Sequence, residues 1–568
     1  MKPLKYMIGF VAALGFVSCS EQMDYHEYKV DGADYIKEMF SRVGGLATTI
    51  YQNLDSDFGN YSGAMLSSAT DESVYSHPGN QIEDFYNGAW GPTNAKGSIW
   101  TSCYQGISYC NLYLDEFQGL TFPDYRLDID YQKEMFQYKN YQWEARWARA
   151  YFYFLLVRQY GDVPLKTTNM DAGEANNLPR TSADEIFQFI DDECAAIKDS
   201  IIEDYNNLGN MAMSIAESGR ANNLAVLALR ARAALYHASP LFNPNNDREL
   251  WHQAALRCQE CISACRARGM NLVSDYMSLF QSDNYKDTKE IIFARRQNST
   301  STNNNFEKYN FPIGMENAGG GNCPTQNLVD AFEMTNGMAI DEPGSGYDPQ
   351  NPYANRDKRL SWIVAVNGEQ WPNANPNPLE IYYGGANGQP ITYATTTGYY
   401  LKKYCNASTV IGATGANSFY HNWVIFRLGE IYLDLAEAML NYTGSGYETT
   451  SDLPMSAEQA INIVRTRAGQ PNIAKGLSAE AFKKKYENER FVELAFEGHR
   501  FFDVRRWKEA PQYFTSIRKM DIRLNADSTC TYTPQELEKR QWDDKMYFFP
   551  IPQSEIQKAG NLTQNTGW

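Results

Sequence analysis

At 568 residues, with 43% hydrophobic and 21% charged side chains, the chain has the composition of a globular protein large enough to bury an extensive core. Its formal net charge of −17, without a cationic cluster, excludes nucleic acid as a partner and disfavours anionic membrane surfaces, because phosphate binding needs grouped Lys and Arg. Aromatics reach 14%, led by 39 Tyr, and rings that join an apolar face to a polar tip suit a neutral ligand such as a carbohydrate.

The first element is "MKPLKYMIGFVAALGFVSCSEQMDY", with Lys2 and Lys5, an apolar run from Tyr6 to Val17, then Ser18 and Cys19. This is the layout of a secretory signal, and the run is too short to span a bilayer. A cysteine directly after it resembles the lipobox of bacterial lipoproteins, so we expect a signal peptide over 1–18 and lipidation of Cys19 by two or three acyl chains. Phe16 and Val17 depart from the usual Leu-(Ala/Ser)-(Gly/Ala), which leaves a plainly secreted form as the alternative. The following "SEQMD" resembles the export signal of surface lipoproteins in some Gram-negative bacteria. Without Lys2 and Lys5 the net charge is near −19, and nine cysteines remain besides Cys19, an odd number with no disulfide-scaffold spacing.

Helical periodicity follows. Helices are expected at 34–53 and at 98–118, the latter with Trp100, Tyr104, Ile107 and Leu112 as a core stripe. In "QWEARWARAYFYFLLVRQYGDVPL", Trp143, Trp147, Tyr151, Phe154 and Leu155 recur at spacings of three and four, and Gly161 and Pro164 end the helix. A helix at 183–200 precedes "NNLAVLALRARAALYHASPLFNP", where Ala225, Ala228, Ala231 and Ala234 allow close helix approach. In the helix at 250–267, Cys258, Cys261 and Cys265 could be read as part of an iron–sulfur site. They continue the apolar stripe of Trp251, Ala254 and Ala255 and lack a fourth ligand, so we read them as core.

Between 271 and 420 the texture changes to Asn, Gly, Pro and Tyr, which reads as a loop-rich inserted region. Helices resume in "IFRLGEIYLDLAEAML", with Ile425, Leu428, Tyr432, Leu435 and Met439 on one face, and continue at 456–468 and 478–497. The expected fold class is mostly α: a tetratricopeptide-like helical-repeat frame over 19–270 and 421–568 that forms one compact unit with the insertion.

For ligand contact the stretch "SSATDESVYSHPGNQIEDFYNGAWGPTNAKGSIW" offers Asp71, Tyr75, His77, Trp90 and Asn94. A loop ring such as Trp90 could equally fold onto the frame. The insertion adds Tyr309 and Phe311 in "EKYNFPIG", then Trp371, Tyr382 and Tyr383. The sequence has neither an H-E-x-x-H nor a paired C-x-x-C, G-x-S-x-G or Walker arrangement, so no catalytic residue, metal or cofactor is assigned.

The last distinctive stretch, "ENERFVELAFEGHRFFDVRRW", Glu487 to Trp507, places Glu489, Glu493 and Glu497 at i, i+4 and i+8. Its acids and bases nearly balance, which points to a scaffold helix whose arginines pair across an interface; His499 has no nucleophile or metal partner nearby in sequence. This stretch resembles the C-terminal signature of the SusD/RagB family of outer-membrane nutrient-binding lipoproteins. "RAYFYFLLVRQYGDVPL" resembles the family's N-terminal helix motif, "IFRLGEIYLDLAEAML" and "INIVRTRAG" its late helices, and "YFFPIPQSEIQKAGNLTQNTGW" its terminal segment.

The resemblance implies a rigid helical frame, a variable loop-rich ligand face, and a lipid anchor on the cell exterior beside a SusC-like TonB-dependent transporter. It implies capture of an oligosaccharide without chemistry, and the position of the Asp71–Asn94 stretch matches part of the family's glycan site. Two alternatives remain: a peptide or glycopeptide ligand in the same role, and a glycan-cleaving enzyme on the same frame.

Overall fold

The computed structural model describes residues 32–212, 219–280, 289–296, 305–419 and 421–568; the expected signal peptide over 1–18 and the expected lipidation site Cys19 lie outside the described residues. The principal helices are α1 (Phe40–Tyr51), α2 (Trp100–Glu116), α3 (Tyr131–Tyr160), α4 (Ala183–Ile197), α5 (Asn223–Ala238), α6 (Arg248–Ala267), α7 (Leu428–Thr443), α8 (Ala457–Ala468), α9 (Ala479–Glu493) and α10 (Arg500–Arg506). Each of α2 to α8 packs on its successor, and α6 packs on α7 although residues 268–427 separate them in sequence. That nearest-neighbour stacking is how helical repeats bury faces that none could bury alone.

The sequence explains the local choices. Trp147, Tyr151, Phe154 and Leu155 of α3 are buried, and α3 ends at Gly161, which adopts φ +68°. In α2, Trp100 and Ile107 are buried, and a Cβ on Gly106 would stand 2.5 Å from the Phe152 ring, so glycine lets α2 and α3 approach. Ala225, Ala228 and Ala231 of α5 are buried, as are Cys258, Cys261 and Cys265 of α6, which the structure places in the core. Capping boxes at Ser182/Glu185 and Ser456/Gln459 start α4 and α8 by satisfying backbone N–H groups that have no intrahelical partner.

Strands form four two-stranded antiparallel pairs among the described residues: β1 (Ser73–Tyr75) with β3 (Asn322–Pro324), β2 (Ile291–Arg295) with β6 (Trp423–Arg427), β4 (Val364–Ala365) with β5 (Tyr400–Leu401), and β7 (Ser516–Leu524) with β8 (Cys530–Lys539). Two expectations need correction. Ile425 lies in β6, so α7 starts only at Leu428; an all-apolar run satisfies either element, and pairing with β2 decides it. The helix expected to reach 497 stops at Glu493, and the chain turns through Phe496 at φ +63° and Gly498 at φ +78° before α10.

Candidate functional site

Below the surface, the Glu487–Trp507 stretch forms a lattice of buried ion pairs. Arg359 reaches Glu489 at 2.6 Å and Glu493 at 2.9 Å, Arg465 joins Glu489 to Glu333 at 2.8 Å each, and Arg427 joins Glu493 and Glu497 at 2.7 Å each. Arg467 also meets Glu493, and Lys403 meets Glu497 at 2.8 Å. Burial pushes against the charged form of Glu493, yet Arg467, Arg427 and Arg359 hold its carboxyl well below the usual range. His499 is buried and pushed well below an ordinary histidine, first by burial and then by the surrounding arginines, so it stays neutral.

This lattice reaches the aromatic loops through two contacts. Arg500 grips Asp71 in a bidentate pair at 2.8 and 2.7 Å, and the Phe496 N–H donates to Glu72 at 3.1 Å. β1 begins at the next residue. Its pairing of Tyr75 with Asn322 brings residues 75–77 beside the Gly319–Gly321 run. Here glycine is required: a Cβ on Gly320 would meet the Tyr393 carbonyl at 2.3 Å, and one on Gly321 the Tyr309 carbonyl at 2.2 Å. Three backbone segments converge where no side chain fits. The buried Asn322 ties them down, donating to Gly63 O at 3.1 Å and Asn310 Oδ1 at 2.8 Å while accepting from Met65 N at 2.8 Å and Ser68 Oγ at 2.9 Å.

On this base stands a stack of rings. His77 lies on Tyr393 with centroids 3.9 Å apart and planes 6° from parallel, and on Tyr75 at 5.0 Å and 30°. His77 Nε2 donates to the Gly319 carbonyl at 2.6 Å, which fixes the imidazole in the stack. Tyr75 is buried, His77 half-buried, and Tyr393 is 45% exposed at φ +65°, a conformation uncommon for a bulky residue. Tyr309, 42% exposed, flanks the stack: its Cδ1 and the Tyr75 hydroxyl both border the space beside Gly63. A polar rim adjoins, where Asn80 and Gln81 donate to Ser62 at 3.3 and 3.0 Å.

The structure thus brings Tyr75, His77 and Tyr309 together and adds Tyr393, which the sequence reading missed; the Gly319–Gly321 run was the signal for such a convergence. The other candidates are elsewhere. Asp71 is buried in its pair with Arg500. Trp90 is buried among Phe85, Phe549 and Trp568, with centroids 4.8–5.2 Å away, so its ring belongs to the frame. Asn94 is engaged by Asp84 and the Ala89 carbonyl at 3.1 and 2.9 Å. Phe311 and Trp371 are buried against each other at 5.2 Å. Tyr382 is half-buried; Tyr383 is 52% exposed, with the Arg523 guanidinium 4.4 Å from its ring centroid.

A model of the SusD family matches residues 289–568, and one described as "Starch-binding associating with outer membrane" matches 17–234. The chain belongs to the SusD family. Among relatives of this family, the Starch-binding protein SusD of Bacteroides thetaiotaomicron is 23% identical over 88% of this chain and 84% of its own. SusD-like protein P2 of Formosa agariphila is 23% identical over 74% and 72%. A SusD-like crystal structure from Bacteroides fragilis superposes with a TM-score of 0.75 at 25% identity, covering 94% of this chain and 98% of that one. A "Laminarin binding SusD-like protein" does so at 0.60 and 20%, covering 93% and 99%. No described helix is long and apolar enough to cross a membrane.

Proposed function

We propose that the protein is a lipid-anchored lipoprotein of the outer membrane, facing the cell exterior, that binds an oligosaccharide or polysaccharide and delivers it to a SusC-like TonB-dependent transporter. The observation that carries the reading is the Tyr393–His77–Tyr75 stack with its outer face open and Tyr309 beside it. An exposed ring whose under-face is already filled offers a pre-ordered platform for the apolar face of a sugar, and the polar rim supplies hydrogen-bond partners. The names of relatives that bind starch and laminarin support this choice of ligand class. Two or three such contacts, each worth about 0.5–1.5 kcal/mol, together with hydrogen bonds give affinities on the order of micromolar to millimolar, tight enough for capture and weak enough for release.

The role is binding without catalysis or cofactor. Calorimetric titration of the chain truncated after Cys19 against plant, host and microbial glycans, beside a peptide panel, tests the ligand class. Saturable glycan binding supports the reading; saturation by peptides alone replaces it with a peptide-capturing role. Fractionation of cells carrying Cys19→Ala tests the anchor, and a variant that stayed wholly membrane-bound would count against lipidation there.

A further inference from the structure

A second concavity lies away from the ring stack, between α2, the 164–178 segment and the C-terminal helix Gln553–Lys558. It has a volume of about 500 Å3, within the range of small-ligand pockets. One wall comes from α2, where Trp100, Tyr104 and Ser108 recur every four residues and so share a face. Tyr104 donates its hydroxyl to the Pro164 carbonyl at 2.8 Å, leaving the ring as an apolar surface. Leu178 and Leu562 extend that surface from the other side. The opposing segments are tied together: Asn561 donates to the Asn177 carbonyl at 2.8 Å and Arg180 to the Thr563 carbonyl at 3.1 Å. The cavity is therefore held open by built walls.

Its one unusual member is Lys166. The residue is only 7% exposed, and its ammonium has a single long contact, to Ser108 Oγ at 3.4 Å. Among the described residues no carboxylate forms an ion pair with it; the nearby Glu555 is already paired with Lys558 at 2.8 Å. Burial without a counter-charge draws its pKa below the ordinary lysine value. A buried, unpaired ammonium is costly, and evolution of a folded interior ordinarily pairs or removes it. The cavity it faces joins the apolar surface of Trp100, Tyr104, Leu178 and Leu562 to a polar side that includes the Glu555–Lys558 pair, and of its two cations Lys166 is the one without a carboxylate partner among the described residues.

We propose that this cavity is a second binding site, which takes a small amphipathic monocarboxylate: the carboxylate pairs with Lys166 and the apolar body lies against Trp100, Tyr104 and Leu562. The glycan platform is not required for this site, and the two readings stand or fall separately.

The test is calorimetric titration of the chain truncated after Cys19 with 4-phenylbutyrate and with octanoate, each beside its primary amide as the neutral probe of the same shape. Both acids are expected to saturate, about tenfold or more tighter than their amides, as a charge-assisted bond to a buried ammonium requires. Lys166→Met should abolish the preference for acid over amide, and Ala559→Trp, which fills the cavity from its rim while keeping Lys166, should abolish binding of both. Absence of saturation by either acid, or acid binding unchanged in Lys166→Met, overturns the proposal. Should Lys166→Met fail to fold, Ala559→Trp decides: acid affinity equal to the parent's in that variant overturns it.

Discussion

The Glu487–Trp507 stretch and the Ile381–Tyr393 loop are both dense in groups that could hold a ligand, and the fold uses them in opposite ways. In the first, every named carboxylate meets a cation: Glu493 alone touches Arg359, Arg427 and Arg467, and all four residues are at most 3% exposed on their side chains. In the second, Tyr383 and Tyr393 turn outward, 52% and 45% exposed. Charge that looks reactive in sequence is closed on itself; rings that look like loop filler reach solvent. The two regions communicate through Arg500–Asp71, which fixes the root of β1 and hence His77 beneath Tyr393.

The strongest way to break this contrast is Glu493→Ala. It leaves three guanidiniums buried without their shared partner and should lower unfolding free energy by about 3–5 kcal/mol in urea titration, with glycan affinity per folded molecule unchanged. Trp90→Ala should act on the same side of the divide, costing about 3–5 kcal/mol through the cavity it leaves among Phe85, Phe549 and Trp568. Should it reduce glycan affinity while its urea midpoint stays put, the assignment of Trp90 to the frame fails.

A pH series sharpens the link between the regions. Burial, above all, raises the Glu72 carboxyl from about 4.5 to about 8. Across that window the native state keeps a proton that the unfolded chain has released, so this group costs native stability as pH rises. Glu72→Gln retains the oxygen that accepts the Phe496 N–H and removes that slope. Its stability advantage over the parent should grow by about 3–4 kcal/mol between pH 5 and pH 8; an advantage independent of pH would show that Glu72 is ionised in the fold.

The helical frame was legible because long helices carry their burial pattern in their spacing: α2, α5 and α6 begin and end within a few residues of expectation, and α3 ends where Gly161 says it should but starts at Tyr131, eleven residues before the quoted stretch. The β7–β8 hairpin was overlooked, since Ile517, Met520 and Ile522 mark one buried face while most of β8 is solvent-facing and supplies no apolar alternation. Ile425 was misplaced because both readings of an apolar run bury it. The ring stack was half legible. Tyr75 and His77 are neighbours in sequence, but Tyr309 and Tyr393 join them only through β1–β3 pairing and the three glycines. Nothing local separates a ring that folds inward, such as Trp90, Phe311 or Trp371, from one that folds outward; the difference is made by residues from 60 to more than 450 positions away.

The smallest expected change tests the central claim most directly. Tyr393→Ala removes the open face of the stack while leaving His77 held by Gly319 and the ion-pair lattice intact. Calorimetric titration with the glycan that the parent binds should show about fivefold weaker affinity, the equivalent of about 1 kcal/mol of stacking, with an unchanged urea midpoint. Equal affinity in parent and variant would contradict the account and move the glycan off the Tyr393–His77–Tyr75 stack.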